Sequence, residues 1–232
     1  MFYAVFGNGA ETVLLLHGGL GNSNYWAHQI NSLSNDYTVI VMDTRGHGRS
    51  PLVSQKLGYG DFAEDACALL ESLKAKPAAI IGWSDGAITG LHMAIHQPEF
   101  VEKVFAFGAN SNPSGLKPGG AKSPVFAQYS ERAKKEYQRL SPTPEKWLSL
   151  SAGLGAMWRR EPNFTKKELA SITVPVTISD GDHDEIIRAT HNKEMSDSIP
   201  KSRLVLQRAV SHFAMLQSPN SFNEKLLEFL AE

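Results

Sequence analysis

The sequence predicts an α/β fold: a mostly parallel, twisted sheet with helices on both faces and a small helical lid inserted over one end. Short apolar runs alternate along the chain with stretches of helical period, which is the order that a parallel sheet requires. The apolar runs are continuous rather than alternating, as expected of strands that are covered on both faces. One long interval without such a run interrupts the alternation and defines the lid.

The core elements follow one another in a regular order. The predicted strands are short and mainly apolar, and they are Val13–Leu16, Val39–Met42, Ala78–Ile81, Val104–Phe107, Val174–Ile178 and Leu204–Leu206. The helices expected between and after them are Asp61–Leu73, Asp85–His96, Asn192–Ile199 and Ser221–Leu230. Together they predict a core built from residues 1–110 and 174–232.

The interval from residue 111 to residue 173 has no strand-like run. It opens with SNPSGLKPGG, whose prolines and glycines are typical of a loop. Two or three helices are expected after this loop, over Val125–Leu140, Pro144–Trp158 and Thr165–Ile172. We interpret residues 111–173, the lid segment, as an insertion at the carboxyl ends of the strands, where parallel sheets bind their ligands.

Composition narrows the class of function. The 232 residues carry 23 Lys and Arg against 24 Asp and Glu, so a formal charge of −1 gives no field that attracts nucleic acid or an anionic membrane. No apolar run approaches the ~20 residues of a membrane span, and the N-terminus does not resemble a signal peptide. Cys67 is the single cysteine, so no internal disulfide can form. We therefore expect a cytoplasmic monomer or homodimer without nucleic-acid or membrane partners.

A G-x-S-x-G motif lies where a predicted strand meets a predicted helix. It is the pattern of the nucleophile elbow, a tight turn that lifts a serine hydroxyl above the sheet. Side chains two positions before and after Ser84 would collide across that turn, which explains Gly82 and Gly86. The motif therefore predicts Ser84 as a nucleophile.

Three segments together resemble the α/β-hydrolase family over nearly the full chain. HGGLG, from His17, follows a strand as the family's oxyanion loop does, and DTRGHGRS, from Asp43, resembles its D-x-R-G-x-G-x-S segment. GWSDGAIT, from Gly82, with FGAN further on, looks closest to the valacyclovir-hydrolase (biphenyl-hydrolase-like) branch. The resemblance implies the α/β-hydrolase fold and catalytic residues in the order Ser, acid, His.

This order nominates the partners of the serine. His212 follows the last predicted strand, where the family has the general base. The preceding loop contains GDHD, which nominates Asp184 as the acid that orients the imidazole. Asp180 and Asp182 stay open as alternatives, because the proline that usually follows the acid is absent.

The oxyanion hole is expected to use two backbone N–H groups. One belongs to Asp85, which follows the nucleophile, and the other to Gly19, with Leu20 as the alternative. Candidates for the substrate pocket are large side chains beside the elbow or in the lid segment, namely Trp83, Trp147, Met157 and Trp158. Trp83 could equally pack beneath the elbow, and the others could form a small core within the lid.

The side chain of Asp85 has two interpretations. It either pairs with a neighbour or caps the helix that begins at the elbow, where Asp is favourable. Alternatively it faces the acyl pocket, where a buried unpaired carboxylate would seek a cation on the substrate. The resemblance to a branch that cleaves amino-acid esters favours the second interpretation.

These candidates predict a serine esterase that cleaves small carboxylic esters through an acyl-enzyme, without cofactor or metal. His92 and His96 have the i, i+4 spacing of zinc ligands, but Met93 stands where the H-E-x-x-H pattern requires Glu.

Amide, lactone or carbon–carbon bond hydrolysis and perhydrolysis are alternatives for the same triad. A non-catalytic binding protein on this scaffold is the alternative that an intact triad favours least.

Overall fold

The computed structural model describes residues 1–54 and 56–232, and its strands form one sheet. The strands are β1 (Tyr3–Phe6), β2 (Thr12–Leu16), β3 (Thr38–Met42), β4 (Ala78–Trp83), β5 (Val101–Phe107), β6 (Val176–Gly181) and β7 (Ser202–Gln207). Their order across the sheet is β1-β3-β2-β4-β5-β6-β7. The pair β1–β3 is antiparallel and every other neighbouring pair is parallel. The predicted mostly parallel sheet is confirmed.

Helices separate the strands as the sequence predicts. In the described residues they are α1 (Ala27–Leu33), α2 (Tyr59–Ser72), α3 (Asp85–His96), α4 (Pro124–Leu140), α5 (Trp147–Arg160), α6 (Lys166–Ala170), α7 (Ala189–Ser198), α8 (Ala214–Gln217) and α9 (Pro219–Leu230). None of them is both long and apolar enough to cross a bilayer. Three elements, β1, α1 and α8, have no counterpart among the sequence predictions.

Helices cover both faces of the sheet, which explains why its strands are continuous apolar runs. Successive residues of a strand point to opposite faces. Val104 of β5 lies against α3 at Gly90, whereas Phe105 packs edge-on against Phe222 and Phe229 of α9. Strands that are covered on both faces have apolar residues at consecutive positions, without the alternation of apolar and polar residues seen in half-exposed strands.

Helices α4, α5 and α6 all lie between β5 and β6, within the lid segment. Ser123 caps α4 with its side chain, and Thr165 forms a capping box at the start of α6. The amide of Phe164 donates to the carbonyl of Ser111, 2.8 Å away, so the end of the segment returns to its beginning. The boundaries of a lid at residues 111 and 173 stay a prediction.

The parallel strands bring the candidate residues to one edge of the sheet. The loop from His17 follows β2, Ser84 follows β4, Asp184 follows β6 and His212 follows β7. Because these strands run in the same direction, the four loops leave the sheet at the same edge.

Candidate active site

Ser84 lies on a strained turn between β4 and α3. Its backbone has φ 55° and ψ −119°, a conformation that non-glycine residues rarely adopt outside functional sites. A Cβ on Gly86 would lie 2.0 Å from the carbonyl oxygen of Leu16, and one on Gly82 would lie 2.4 Å from the amide nitrogen of Ala87. The turn therefore requires both glycines of the motif, as the sequence predicts.

His212 and Asp184 form a buried hydrogen-bonded pair. Nδ1 of His212 lies 2.6 Å from Oδ2 of Asp184, and both side chains are almost fully buried. The other oxygen of Asp184 accepts from the amides of Ile186 and Ile187 at 2.5 and 2.8 Å. Of the three carboxyls that the sequence leaves open, Asp184 is the one that contacts the imidazole through a hydrogen bond. Asp182 is exposed, and its side chain accepts a hydrogen bond from the amide of Ala209.

The charge of each partner stabilises the other. Burial alone would lower the pKa of His212, but the negative charge and hydrogen bond of Asp184 outweigh it, and the pKa is raised above its ordinary 6.5. Burial opposes ionisation of Asp184, yet its pKa falls well below the usual range because of the imidazolium and the hydrogen bonds that it accepts. An ionised Asp184 fixes the tautomer of a neutral His212 with the proton on Nδ1.

Ser84 and His212 line one cavity of about 230 Å³. Apolar side chains from the lid segment and from the loop after β6, Leu116, Phe126, Ile186 and Ile187, form much of its wall. Within residues 1–54 and 56–232, no hydrogen bond joins Ser84 to His212. Catalytic hydrogen bonds of this kind are often long in unliganded enzymes and shorten when substrate binds.

The loop after β2 packs tightly against the start of α3. A Cβ on Gly19 would lie 2.4 Å from Oδ2 of Asp85 and 2.6 Å from the indole of Trp158, so any larger residue would displace these side chains. The carbonyl of Gly19 accepts a hydrogen bond of 2.6 Å from the hydroxyl of Tyr129, on helix α4. Leu20 has φ 66°, which turns the loop sharply. The choice between Gly19 and Leu20 as oxyanion donor stays a prediction.

The side chain of Asp85 is buried at the cavity wall. The hydroxyl of Tyr59 donates to it at 2.8 Å, and the indole N–H of Trp158 donates at 2.9 Å. Burial raises the pKa of Asp85 to about 6, although both hydrogen bonds act in the opposite direction. Its hydrogen-bond partners in the described residues are neutral, so it combines features of both interpretations: it is paired, and it lines the cavity, as Lys117 and Lys122 also do.

The large side chains proposed for the pocket divide into two groups. Trp158 lines the cavity, whereas Trp83, Trp147 and Met157 lie outside its lining in the described part of the chain and are buried in the core. Trp83 packs beneath the elbow, where its indole donates to the carbonyl of His212 at 2.8 Å.

Two residues at the site carried no sequence signal. Tyr59 begins α2 and Tyr129 lies within α4, and both are tyrosines whose spacing matches an ordinary buried helix face. Their hydroxyls reach Asp85 and Gly19, respectively. Only the three-dimensional packing of helices from distant parts of the chain brings them there.

Comparison with known proteins agrees with this architecture. The sequence model of a family described as alpha/beta hydrolase fold matches residues 11–149. The chain belongs to the α/β-hydrolase fold family. Serine hydrolase BPHL from Mus musculus is 28% identical over an alignment of 246 positions, gaps included. The alignment covers 99% of this chain and 82% of BPHL. The predicted resemblance is confirmed, and these findings support a hydrolase of the α/β-hydrolase type.

Solved structures share the fold of this α/β-hydrolase. An enol-lactonase from Burkholderia xenovorans superposes with a TM-score of 0.79 at 20% identity, covering 100% of this chain and 96% of that one. A meta-cleavage product hydrolase, CumD, from Pseudomonas fluorescens reaches a TM-score of 0.82 at 17% identity, covering 99% and 93%. At these identities the likeness establishes the fold alone.

Proposed function

We propose that this α/β-hydrolase is a serine esterase that cleaves small carboxylic esters through an acyl-enzyme intermediate. The observation that carries the proposal is the cavity shared by Ser84, on its strained turn, and His212, hydrogen-bonded to Asp184. Nucleophile, base and orienting carboxylate are the three groups that acyl transfer by serine needs. The name of the relative BPHL, a serine hydrolase, agrees with this assignment.

In the proposed reaction, Oγ of Ser84 attacks the ester carbonyl while Nε2 of His212 takes its proton. Asp184 holds Nδ1–H of the imidazole and stabilises the cation that forms. The amides of Asp85 and Gly19 would donate to the oxyanion, a contribution of about 3 kcal/mol per donor in related chemistry. The alcohol leaves with the proton from His212, and water then attacks the acyl-enzyme by the same steps.

A fluorophosphonate probe and a panel of nitrophenyl esters test this proposal. We expect the probe to label Ser84 and the esters to be hydrolysed at a rate that labelling abolishes. Stoichiometric labelling without turnover of any ester would redirect the assignment to another bond. Lactones, amides and carbon–carbon substrates are then the next to assay. Failure of labelling would favour a binding protein on this scaffold.

The Asp85 carboxylate supports a substrate with a cationic group near the ester, in a cavity that Lys117 and Lys122 also line. Asp85 lines the cavity, is buried, and has only neutral hydrogen-bond donors as partners in the described residues. Burial raises the pKa of Asp85 to about 6, so its side chain is mainly ionised at neutral pH. An ammonium group would stabilise that charge through a charge-assisted hydrogen bond. Amino-acid esters are the substrate class that fits.

A further inference from the structure

A second buried carboxyl lies beside the proposed triad and has no part in the reaction described above. Asp180, at the end of β6, is 1% exposed, and Asp184 is 2% exposed. One oxygen of each carboxyl and a ring nitrogen of His212 lie within 4.8 Å of one another. In the described chain Asp180 forms no ion pair, and the carboxylate of Asp184 pairs with His212 alone.

Two neighbouring buried carboxyls do not ionise together, because each charge disfavours the other. The hydrogen-bond donors decide which of them carries the charge. Asp184 accepts from His212 and from two backbone amides, whereas Asp180 accepts from one backbone amide and from Asn192. The stronger donor set, which includes the imidazole, favours the charge on Asp184 and the proton on Asp180.

The groups around Asp180 leave Asp184 as the acceptor of that proton. Helix α7 presents Asn192, whose amide N–H₂ donates to Asp180 at 2.5 Å, and β7 presents the apolar Leu206 opposite it. Among the His, Cys, Asp and Glu side chains of the described residues, those that cluster with Asp180 are Asp184 and His212. Lys117 contacts the backbone carbonyl of Asp184 from the lid segment.

We propose that Asp180 is a positioning residue that is protonated at neutral pH and donates a hydrogen bond to Asp184, which holds Asp184 as the charged partner of His212. This inference rests on the proposed function, because it concerns the acid of the same triad. The pKa directions agree with it: burial and the charge of Asp184 raise the pKa of Asp180 well above its usual range. A neutral donor beside Asp184 lowers the free energy of its ionised form and keeps its oxygen aligned with the imidazole.

Substitution by asparagine and by alanine separates this role from a structural one. Asparagine keeps the shape and a donor but has no charge, so we expect fluorophosphonate to label Asp180→Asn within about threefold of the wild-type rate. Alanine removes the donor, so labelling of Asp180→Ala should be slower by about tenfold or more. Asp182→Asn, two residues away and exposed, is the matched control and should label as the wild type does. Equal losses in Asp180→Asn and Asp180→Ala, or no loss in either, would overturn the proposal.

Infrared spectroscopy tests the proton directly and does not depend on a substrate. The difference spectrum of wild type minus Asp180→Asn at neutral pH should contain the C=O band of a protonated carboxylic acid. Carboxylate bands in its place would show that Asp180 is ionised and refute the inference, even if Asp180→Ala fails to fold. Absence of labelling in the wild type would instead count against the esterase proposal, so the two failures are distinguishable.

Discussion

At the residue scale, the backbone of Ser84 stores strain that the surrounding turn imposes. Its φ of 55° is sterically unfavourable for any residue with a Cβ, at about 1–3 kcal/mol. The same turn brings its hydroxyl to the cavity. A strained residue at a candidate site suggests that the conformation serves function rather than stability.

We expect Ser84→Ala and Ser84→Gly to abolish esterase activity and fluorophosphonate labelling alike. Their stabilities should differ, because glycine adopts a positive φ without strain but loses more chain entropy on folding. The net gain of Ser84→Gly over Ser84→Ala should be about 1 kcal/mol in the free energy of unfolding. Denaturant titration measures the difference. Labelling of the alanine variant at wild-type stoichiometry would remove Ser84 as nucleophile.

Asp184→Asn should reduce turnover by about 10⁴-fold, because an amide favours the wrong tautomer of the imidazole. The pH profile should change as well. His212 acts as a base when neutral, so activity rises as pH rises through its pKa, which Asp184 raises above 6.5. Without the carboxylate, the acidic limb of kcat/KM should move to lower pH. Asp182→Asn is the control, since this side chain is exposed and bonds to the amide of Ala209 rather than to the imidazole. A comparable loss of turnover in Asp182→Asn would contradict the assignment of Asp184 as the acid.

Asp85 should control preference between cationic and neutral esters of equal size. A charge-assisted hydrogen bond is worth roughly 1.5–3 kcal/mol, so kcat/KM for an amino-acid ester should be higher by about tenfold or more. Asp85→Asn should erase this preference. Glu161 also lines the cavity, but it pairs with Arg160, so Glu161→Gln should keep the preference. Equal kcat/KM for the two ester types in the wild type would show that Asp85 does not recognise the substrate and has only a structural role.

At the scale of elements, the lid helices contact both sides of the proposed oxyanion hole. Helix α4 reaches the carbonyl of Gly19 through Tyr129, and helix α5 reaches the side chain of Asp85 through Trp158. The two loops that carry the proposed donors are therefore held by residues far away in sequence. This arrangement couples lid packing to the geometry of the reaction centre.

We expect Tyr129→Phe to lower kcat about three- to tenfold with little change in KM, because one neutral hydrogen bond that orients the loop is lost. Tyr25→Phe is the matched control. Tyr25 packs on Tyr129 with ring centroids 5.7 Å apart, but its hydroxyl does not bond to Gly19. Steady-state kinetics with one ester measures both variants. An equal loss in the two would indicate general loosening of the aromatic cluster.

The strands and helices that the sequence predicts are buried or long, whereas those that it misses are exposed or short. Strands such as Val13–Leu16 are buried on both faces, so continuous apolar runs reveal them. Strand β1, Tyr3–Phe6, is a short edge strand that is mostly exposed, and α1 is only seven residues long, so neither produces a clear period. Motif and order nominate Ser84 and His212 from the sequence alone, and their catalytic roles stay predictions. Tyr59 and Tyr129 depend on packing between distant helices, which one sequence does not contain.

At the scale of the whole molecule, loops that follow the strands carry the proposed reacting groups, and residues of the lid segment line the cavity beside them. The cavity of about 230 Å³ is smaller than the ~300–1,000 Å³ of pockets that hold drug-sized ligands. Phe126, on α4, lines the cavity and packs edge-on against Trp158, with ring centroids 6.4 Å apart. If the chain is the proposed esterase, the lid segment would limit the size of the acyl group.

This limit predicts a preference for short acyl chains. In a series of nitrophenyl esters, kcat/KM should be highest for the shortest acyl groups and fall once the chain exceeds the cavity, because further methylenes gain no burial there. Phe126→Ala should move the optimum to longer chains, each additional buried CH₂ contributing about 0.8 kcal/mol. Val125→Ala, one position earlier and 41% exposed, is the matched control and should keep the wild-type optimum. If the wild type hydrolyses long-chain esters as fast as short ones, the lid segment must move aside during catalysis, and the cavity volume would then not set specificity.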